Sequence, residues 1–266
     1  MKVFLSTDIE GVCGTTRAEE VLSGQLSYTA STKQMTQEVN AACIGAKNAG
    51  ATHIVVKDSH ELGTNIDPNG LIEDAVLIRG WSGTPEFMMY GLDDSFDAAI
   101  YIGYHSAAMV QGNPLSHTAN GRKIVETKLN GEIFSEFTLC MYTAAYYGVP
   151  SVFISGDKVL CEAAKSQVPN ISTVAVKDGW GGATINMSPR KAVHLIQSEV
   201  EKVLKSDYKG SIPDMPSEFQ LDITFKMAVD AVKMSHFPGA KLKSDFTVNF
   251  TTNDFYELMR FFLFAA

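Results

Sequence analysis

Cysteine is scarce and unpatterned in this chain. Cys13, Cys43, Cys140 and Cys161 are the only four, they lie far apart, and none forms a CxxC pair. Three fall in segments that read as helices, so buried free thiols in a reducing cytoplasm are expected rather than disulfides. Positive charge is short as well: 22 lysines and arginines against 30 acids give a formal charge of −8. That balance argues against nucleic acid or an anionic membrane as a partner. No apolar run approaches the ~18 residues of a membrane span. The first apolar run breaks at Asp8, so no signal peptide is expected. Internal repeats and low-complexity tracts are also missing. Histidine occurs only six times, which gives each position weight.

What is present is the composition of an ordinary globular protein, 45% apolar and 20% charged over 266 residues. A chain of this length buries a sizeable core in one large domain or two modest ones. Strand and helix patterns alternate. The clearest strands are 2–8, 52–57, 97–103 and 150–155, with shorter candidates at 75–79, 123–129 and 171–176. Ile54-Val55-Val56 and Val152-Phe153-Ile154 are continuous β-rich runs, as expected for strands covered on both faces. Helices are predicted over 32–49, capped by Ser31, over 132–147, and over 189–205 behind Ser188-Pro189. This alternation predicts an α/β fold, a mostly parallel central sheet flanked by helices, over residues 1–206. Residues 206–218 read as a linker. Residues 219–266 read as a smaller C-terminal α+β portion, separate or continuous with the first: strand 221–226, helix 227–236, strand 245–250 and helix 253–264. The phenylalanines of that last helix, Phe255, Phe261, Phe262 and Phe264, suit either a core or an interface.

Ligands in open α/β sheets bind beyond the carboxyl ends of the strands. The first strand ends in Asp8 and Glu10, spaced i, i+2 and so about 6.6 Å apart along one face of an extended chain. Two anions there repel unless a cation lies between them. The strand at 52–57 leads into Asp58-Ser59-His60, and that at 97–103 into Tyr104-His105. Glu136 sits at the margin of an apolar helical stripe, where a carboxylate is costly to desolvate without a cation or donors. His117 lies in a loop over the same edge. Singly, each has an ordinary reading: Asp8 as a turn cap, Glu10 as a solvated acid, Glu136 as a helix-edge glutamate, the histidines as loop residues. Together they point to metal binding. Two histidines and three carboxylates suit zinc, manganese or iron. They suffice for two open sites if one carboxylate bridges, and Asp8 at the strand tip is the better placed bridge. Asp58 is expected to fix the His60 tautomer.

The set Asp-Ile-Glu-Gly (8–11), Lys-Asp-Ser-His (57–60), Gly-Leu-Asp-Asp-Ser-Phe (91–96), Gly-Tyr-His (103–105), Ser-His (116–117) and Ser-Glu-Phe (135–137) resembles the DppA-type D-aminopeptidases, bacterial dinuclear zinc peptidases. The likeness is densest over residues 1–190 and extends to Tyr147–Pro150, Ser155–Asp157 and Thr173–Lys177. The resemblance implies two zinc ions per chain, one on Asp8, Glu10 and His60 and the other on Asp8, His105 and Glu136. It implies that His117 is the catalytic histidine and not a ligand. It also implies removal of the N-terminal residue from short D-amino-acid peptides by a ring-shaped homo-oligomer. Two departures stand out, a slightly longer loop between His105 and His117 and Cys13 in place of a usual serine.

Two other functions fit part of the pattern. Asp-x-Glu after a first strand also occurs in magnesium-dependent phosphatases that would use Asp8 as nucleophile; these need a lysine and further carboxylates rather than histidines. A non-catalytic metal- or peptide-binding protein is the third reading.

Overall fold

The computed structural model describes all residues from Met1 to Ala266. Its centre is a seven-stranded sheet of β1 (Lys2–Thr7), β2 (His53–Asp58), β3 (Ala75–Ile78), β4 (Ala98–Tyr104), β7 (Ser151–Asp157), β8 (Ser172–Trp180) and β9 (Ala183–Asn186). The strand order is β3-β2-β1-β4-β7-β8-β9, parallel except for β9, which forms an antiparallel hairpin with β8. The parallel α/β architecture expected from strand-helix alternation is therefore present. Helices α1 (Tyr28–Asn48) and α4 (Pro189–Leu204) cover one face; α2 (Glu136–Tyr146) and α3 (Lys158–Gln167) cover the other. Strand side chains alternate between these layers. Val3 and Leu5 join Met35, Val39, Ile196 and Val200, whereas Phe4 and Tyr101 join Phe137, Met141 and Leu160. Truncating a buried ring such as Phe137 to alanine would cost about 3–5 kcal/mol.

A second sheet, ordered β11-β12-β10-β5-β6, is antiparallel. It joins β5 (Ile124–Leu129) and β6 (Glu132–Ile133) from mid-chain to β10 (Phe219–Phe225), β11 (Ala240–Ser244) and β12 (Thr247–Thr252). Helices α5 (Ala228–Met234) and α6 (Phe255–Ala265) pack on it. Phe255, Phe261 and Phe262 are buried in this core, while Phe264 is 65% exposed. Helix α2 lies between the two sheets, with Phe137, Cys140 and Met141 in one core and Leu139 in the other.

Several element boundaries differ from the sequence expectation, for identifiable reasons. The helix predicted over 132–147 begins at Glu136, because Ser135 caps it by accepting the Thr138 N–H at 3.0 Å. Residues 132–133 instead close a hairpin with β5 through Asn130-Gly131, both at positive φ, the conformation that an Asn-Gly pair favours. Helix α1 starts a turn before the predicted Ser31 cap, and Ser31 is buried within it. Helix α3, the β9 return strand and β11 were not among the predicted elements. All four cysteines are buried and free, as expected. No helix is long and apolar enough to cross a membrane.

Candidate metal centre

Strand β1 pairs with β2 on one side and β4 on the other. The chain runs from β1 outward through β2 and β3 on one side, then crosses to β4 on the other, so a crevice opens at the carboxyl ends of these strands. Thr7 is level with Asp58 on β2 and Ile102 on β4. Beyond this level the Asp8 N–H donates to the Ile102 carbonyl and the Gly11 N–H to the Gly103 carbonyl, both at 2.8 Å. The two chains pass so closely that a Cβ on Gly11 would lie 1.7 Å from the Tyr104 carbonyl oxygen. Only glycine fits there. Gly103 has a φ of +73°, and a Cβ there would lie 2.3 Å from the Asp8 carbonyl oxygen.

The predicted site residues from β1, β2, β4 and α2 converge here. His60 Nδ1 lies 3.0 Å from Glu10 Oε2 and 3.4 Å from Asp8 Oδ1. His105 Nε2 lies 3.4 Å from Asp8 Oδ2 and 3.4 Å from Glu136 Oε2. The two oxygens of Asp8 thus face different histidines. Ligand atoms about 2.0–2.1 Å from a tetrahedral zinc lie about 3.3 Å from one another. The observed separations match that spacing, and most exceed an ordinary N–H···O bond. Glu10 Oε2 and His105 Nε2, one in each group, are buried with no hydrogen-bond partner. Neutral imidazole and carboxylate form a donor set suited to zinc, and orphaned donors on both sides of Asp8 fit two ions.

The far nitrogens of the histidines are tied to main-chain carbonyls. His60 Nε2 pairs with Val21 O at 2.8 Å, His105 Nδ1 with Ser106 O at 2.9 Å, and His117 Nδ1 with Leu115 O at 2.8 Å. With those nitrogens donating, the lone pairs of the others face the carboxylates. The expectation that Asp58 fixes His60 does not hold. Asp58 instead accepts from the Asn65 N–H, the Asn65 amide and the Ile66 N–H, closing the turn after β2.

His117 stacks on His105, with ring centroids 4.4 Å apart and planes 15° from parallel. Its Nε2 is 3.6 Å from Glu136 Oε1, and its side chain is 25% exposed. It could join His105 and Glu136 in a metal-binding triad, as Asp8, Glu10 and His60 could on the other side. Glu136 Oε1 also accepts the Ala119 N–H at 2.7 Å, binding the His117 loop to α2. The remaining histidines, His53, His194 and His236, are exposed and join neither group.

The electrostatics of the site set buried acids against the histidines that face them. Burial, followed by repulsion from Glu10, raises Asp8 well above the carboxylate range. Burial would also raise Glu10, but His60 outweighs it and holds Glu10 well below its usual value. Burial disfavours a charged His60, yet Glu10 and Asp8 raise it well above an ordinary histidine. The same contest lifts His105 to about 10 against burial, mainly through Glu136, and draws Glu136 down to about 2. Protons on the imidazoles stand where cations would otherwise balance three buried acids.

Supporting residues that sequence reasoning passed over lie beneath the site. Asp157, at the end of β7, accepts from Ser106 N at 2.7 Å and from the Ser106 hydroxyl at 2.5 Å, next to His105. Lys177 on β8 is level with Asp157, and burial lowers its pKa to about 8. Glu38 on α1 is fully buried and pushed up to about 7, accepting the Cys13 N–H at 3.0 Å. The available signal was a charged residue closing or interrupting an apolar strand, as in Val174-Ala175-Val176-Lys177.

The groups open into a cleft of about 750 Å³. Leu62, Trp81, Phe87 and Met88 form an apolar wall, with Trp81 stacked on Phe87 at 4.7 Å. Arg122 is the only lysine or arginine in the lining.

A sequence profile described as D-aminopeptidase matches residues 1–264. The chain belongs to the D-aminopeptidase family. Members of this family are peptide hydrolases. The D-aminopeptidase of Bacillus subtilis (strain 168) is 32% identical over 259 residues, spanning 97% of this chain and 93% of that protein. Among solved structures, the fold superposes with a TM-score of 0.93 on one described as the Zn-dependent D-aminopeptidase DppA from Bacillus subtilis, a self-compartmentalizing protease. Identity there is 31%, covering 100% of this chain and 96% of that one. The architecture of the family is therefore retained throughout both sheets.

Proposed function

We propose that this chain is a zinc-dependent D-aminopeptidase that uses two ions per chain to release the N-terminal residue of short D-amino-acid peptides. The observation that carries this reading is Asp8, whose two oxygens each stand 3.4 Å from a different histidine. Asp8, Glu10 and His60 would hold one ion; Asp8, His105 and Glu136 would hold the other. Bound zinc supplies Lewis acidity, activating water near neutral pH and polarising a carbonyl.

The remaining work falls to the protein. His117 Nδ1 donates to Leu115 O, leaving Nε2 free to take a proton from water and return it to the leaving amine. Its greater exposure and longer approach to Glu136 favour this role over ligation. A nucleophilic His117 is the alternative, and burst kinetics would reveal it. The apolar wall receives a substrate side chain. Arg122 complements the free carboxylate of a short peptide. The side chains facing Asp8 are histidines and not lysine, which disfavours an aspartyl-phosphate mechanism.

The relative described as self-compartmentalizing supports assembly of this chain into a ring-shaped homo-oligomer. Four buried free thiols support a cytoplasmic setting. Elemental analysis of native protein, paired with matched D- and L-aminoacyl substrates, tests the reading. A stoichiometry near two zinc ions per chain with preference for D-substrates is expected. Absence of bound zinc together with absence of peptide cleavage would refute it.

A further inference from the structure

Lys177 is 3% exposed, deep in the central sheet, and has no role in the chemistry described above. A buried ammonium is costly unless its donors are used. Here they reach across to the irregular segment that follows β1. Lys177 Nζ donates to the Glu10 carbonyl and, at 2.6 Å, to the Thr15 carbonyl. Asn113 Nδ2 donates to the same Glu10 carbonyl at 2.9 Å. Two donors fill both lone pairs of that oxygen. On the other side of the same peptide, the Gly11 N–H donates to Gly103 O. The Glu10–Gly11 peptide plane is therefore held at every polar atom, and the Glu10 side chain departs from a fixed backbone.

We infer that Lys177 is a positioning residue, which with Asn113 clamps the Glu10 carbonyl and so sets Glu10 for one of the two cation sites. The proposal rests on the two-ion reading above. It predicts selectivity between the ions. Asp8 is placed independently, by its N–H on Ile102 O and by Oδ1 accepting the Ile9 N–H at 2.8 Å. His105 and Glu136 are placed by Ser106 and Ala119. Glu10 is the one member of the set whose own main-chain carbonyl the clamp holds. Asn113 Nδ2 also makes a longer, 3.4 Å contact with Asp157 Oδ2 beneath Ser106, so Lys177→Met is the cleaner of the two tests.

The test uses Lys177→Met, which keeps the chain length and removes the donor, and Asn113→Ala, which removes the other donor. Zinc affinity is measured by chelator competition for each ion, alongside circular dichroism and kinetics at limiting and excess zinc. Loss of an outer hydrogen-bond partner costs about 10–100-fold in metal affinity. Lys177→Met should weaken one ion by that factor and leave the other at wild-type affinity. Activity should fall at limiting zinc and recover at excess zinc, which a purely structural defect would not do. Asn113→Ala should weaken the same ion by a smaller factor. Should Lys177→Met fail to fold, Asn113→Ala decides alone. Both ions held at wild-type affinity, or both weakened equally, would overturn the clamp. A wild-type protein holding fewer than two ions overturns the two-ion reading instead, so the two failures are distinct.

Discussion

Removing Asp8 and removing Glu10 should have unequal consequences, and the inequality follows from geometry. Asp8 presents Oδ1 to His60 and Oδ2 to His105, each at 3.4 Å. Glu10 presents Oε2 to His60 alone, at 3.0 Å. Deleting one member of a buried charge pair typically costs about 3–5 kcal/mol. That corresponds to about 10²–10⁴ in affinity. Asp8→Ala should impose this cost on both ions, and Glu10→Ala on one. Asp8→Asn is the gentler form, since it retains shape and one oxygen. The assay is elemental analysis after dialysis against a graded chelator series, with calorimetric titration of zinc into the stripped protein. Wild type should show two binding events, Glu10→Ala one intact and one weakened, and Asp8→Ala two weakened. An Asp8→Ala protein that loses a single ion, or a Glu10→Ala protein that loses both, would refute the bridge.

His117→Ala should keep both zinc ions and lose turnover; loss of metal would make it a ligand. Zinc binding should release protons, because neutral imidazole and carboxylate are the binding forms and His60, His105 and Asp8 are all raised in the absence of a cation. Buffer-dependent calorimetry measures this release, and apparent affinity should rise between pH 6 and pH 8. Arg122→Ala should raise KM at least several-fold for D-dipeptides and leave D-amino-acid amides unaffected, since only the former present a carboxylate. The metal-free protein should lose stability as pH rises from about 6.5 through about 10, since raised folded-state histidine pKa values stabilise only below that range. Thermal melts of stripped protein across pH check the sign.

The strand ends were legible because parallel strands buried on both faces are apolar runs, and a charged residue closing one marks the crevice edge. Asp8, His60 and His105 stood out for that reason. Glu136 was legible as a cost, a carboxylate at the margin of an apolar stripe. The helix that carries it is shorter than its apolar spacing predicts, because Glu132-Ile133 continues that spacing as strand β6. Only the Asn130-Gly131 turn and the Ser135 cap separate strand from helix there. The Asp58 expectation failed for a different reason. His60 uses the Val21 carbonyl, and every residue has a carbonyl, so sequence gives no sign of which one a histidine meets. Lys177 is marked in sequence as a lysine closing the apolar run Val174-Ala175-Val176, but what it and Asn113 bind is not, because both act on the Glu10 main chain.

Three carboxylates and two histidines buried at one crevice are an expensive arrangement for a protein that only needed to fold. An apolar set of similar volume would often be no less stable. The protein nevertheless commits Gly11 and Gly103 to a passage too tight for any side chain, and holds the Glu10 peptide with two side-chain donors from separate elements. Each of these devices fixes position rather than adding burial. In the metal-free state the charges are balanced by protons on His60 and His105, which raises both histidines and depresses Glu10 and Glu136. A proton neutralises one histidine–acid contact but cannot serve two groups at once. Asp8 keeps a pKa well above the usual range because burial, then Glu10 and Glu136, outweigh the lowering by His60 and His105. That residual frustration at Asp8 is what a pair of divalent ions would relieve. Under the two-ion proposal, Asp8 is the one residue with an oxygen 3.4 Å from each histidine, so its loss should weaken both sides.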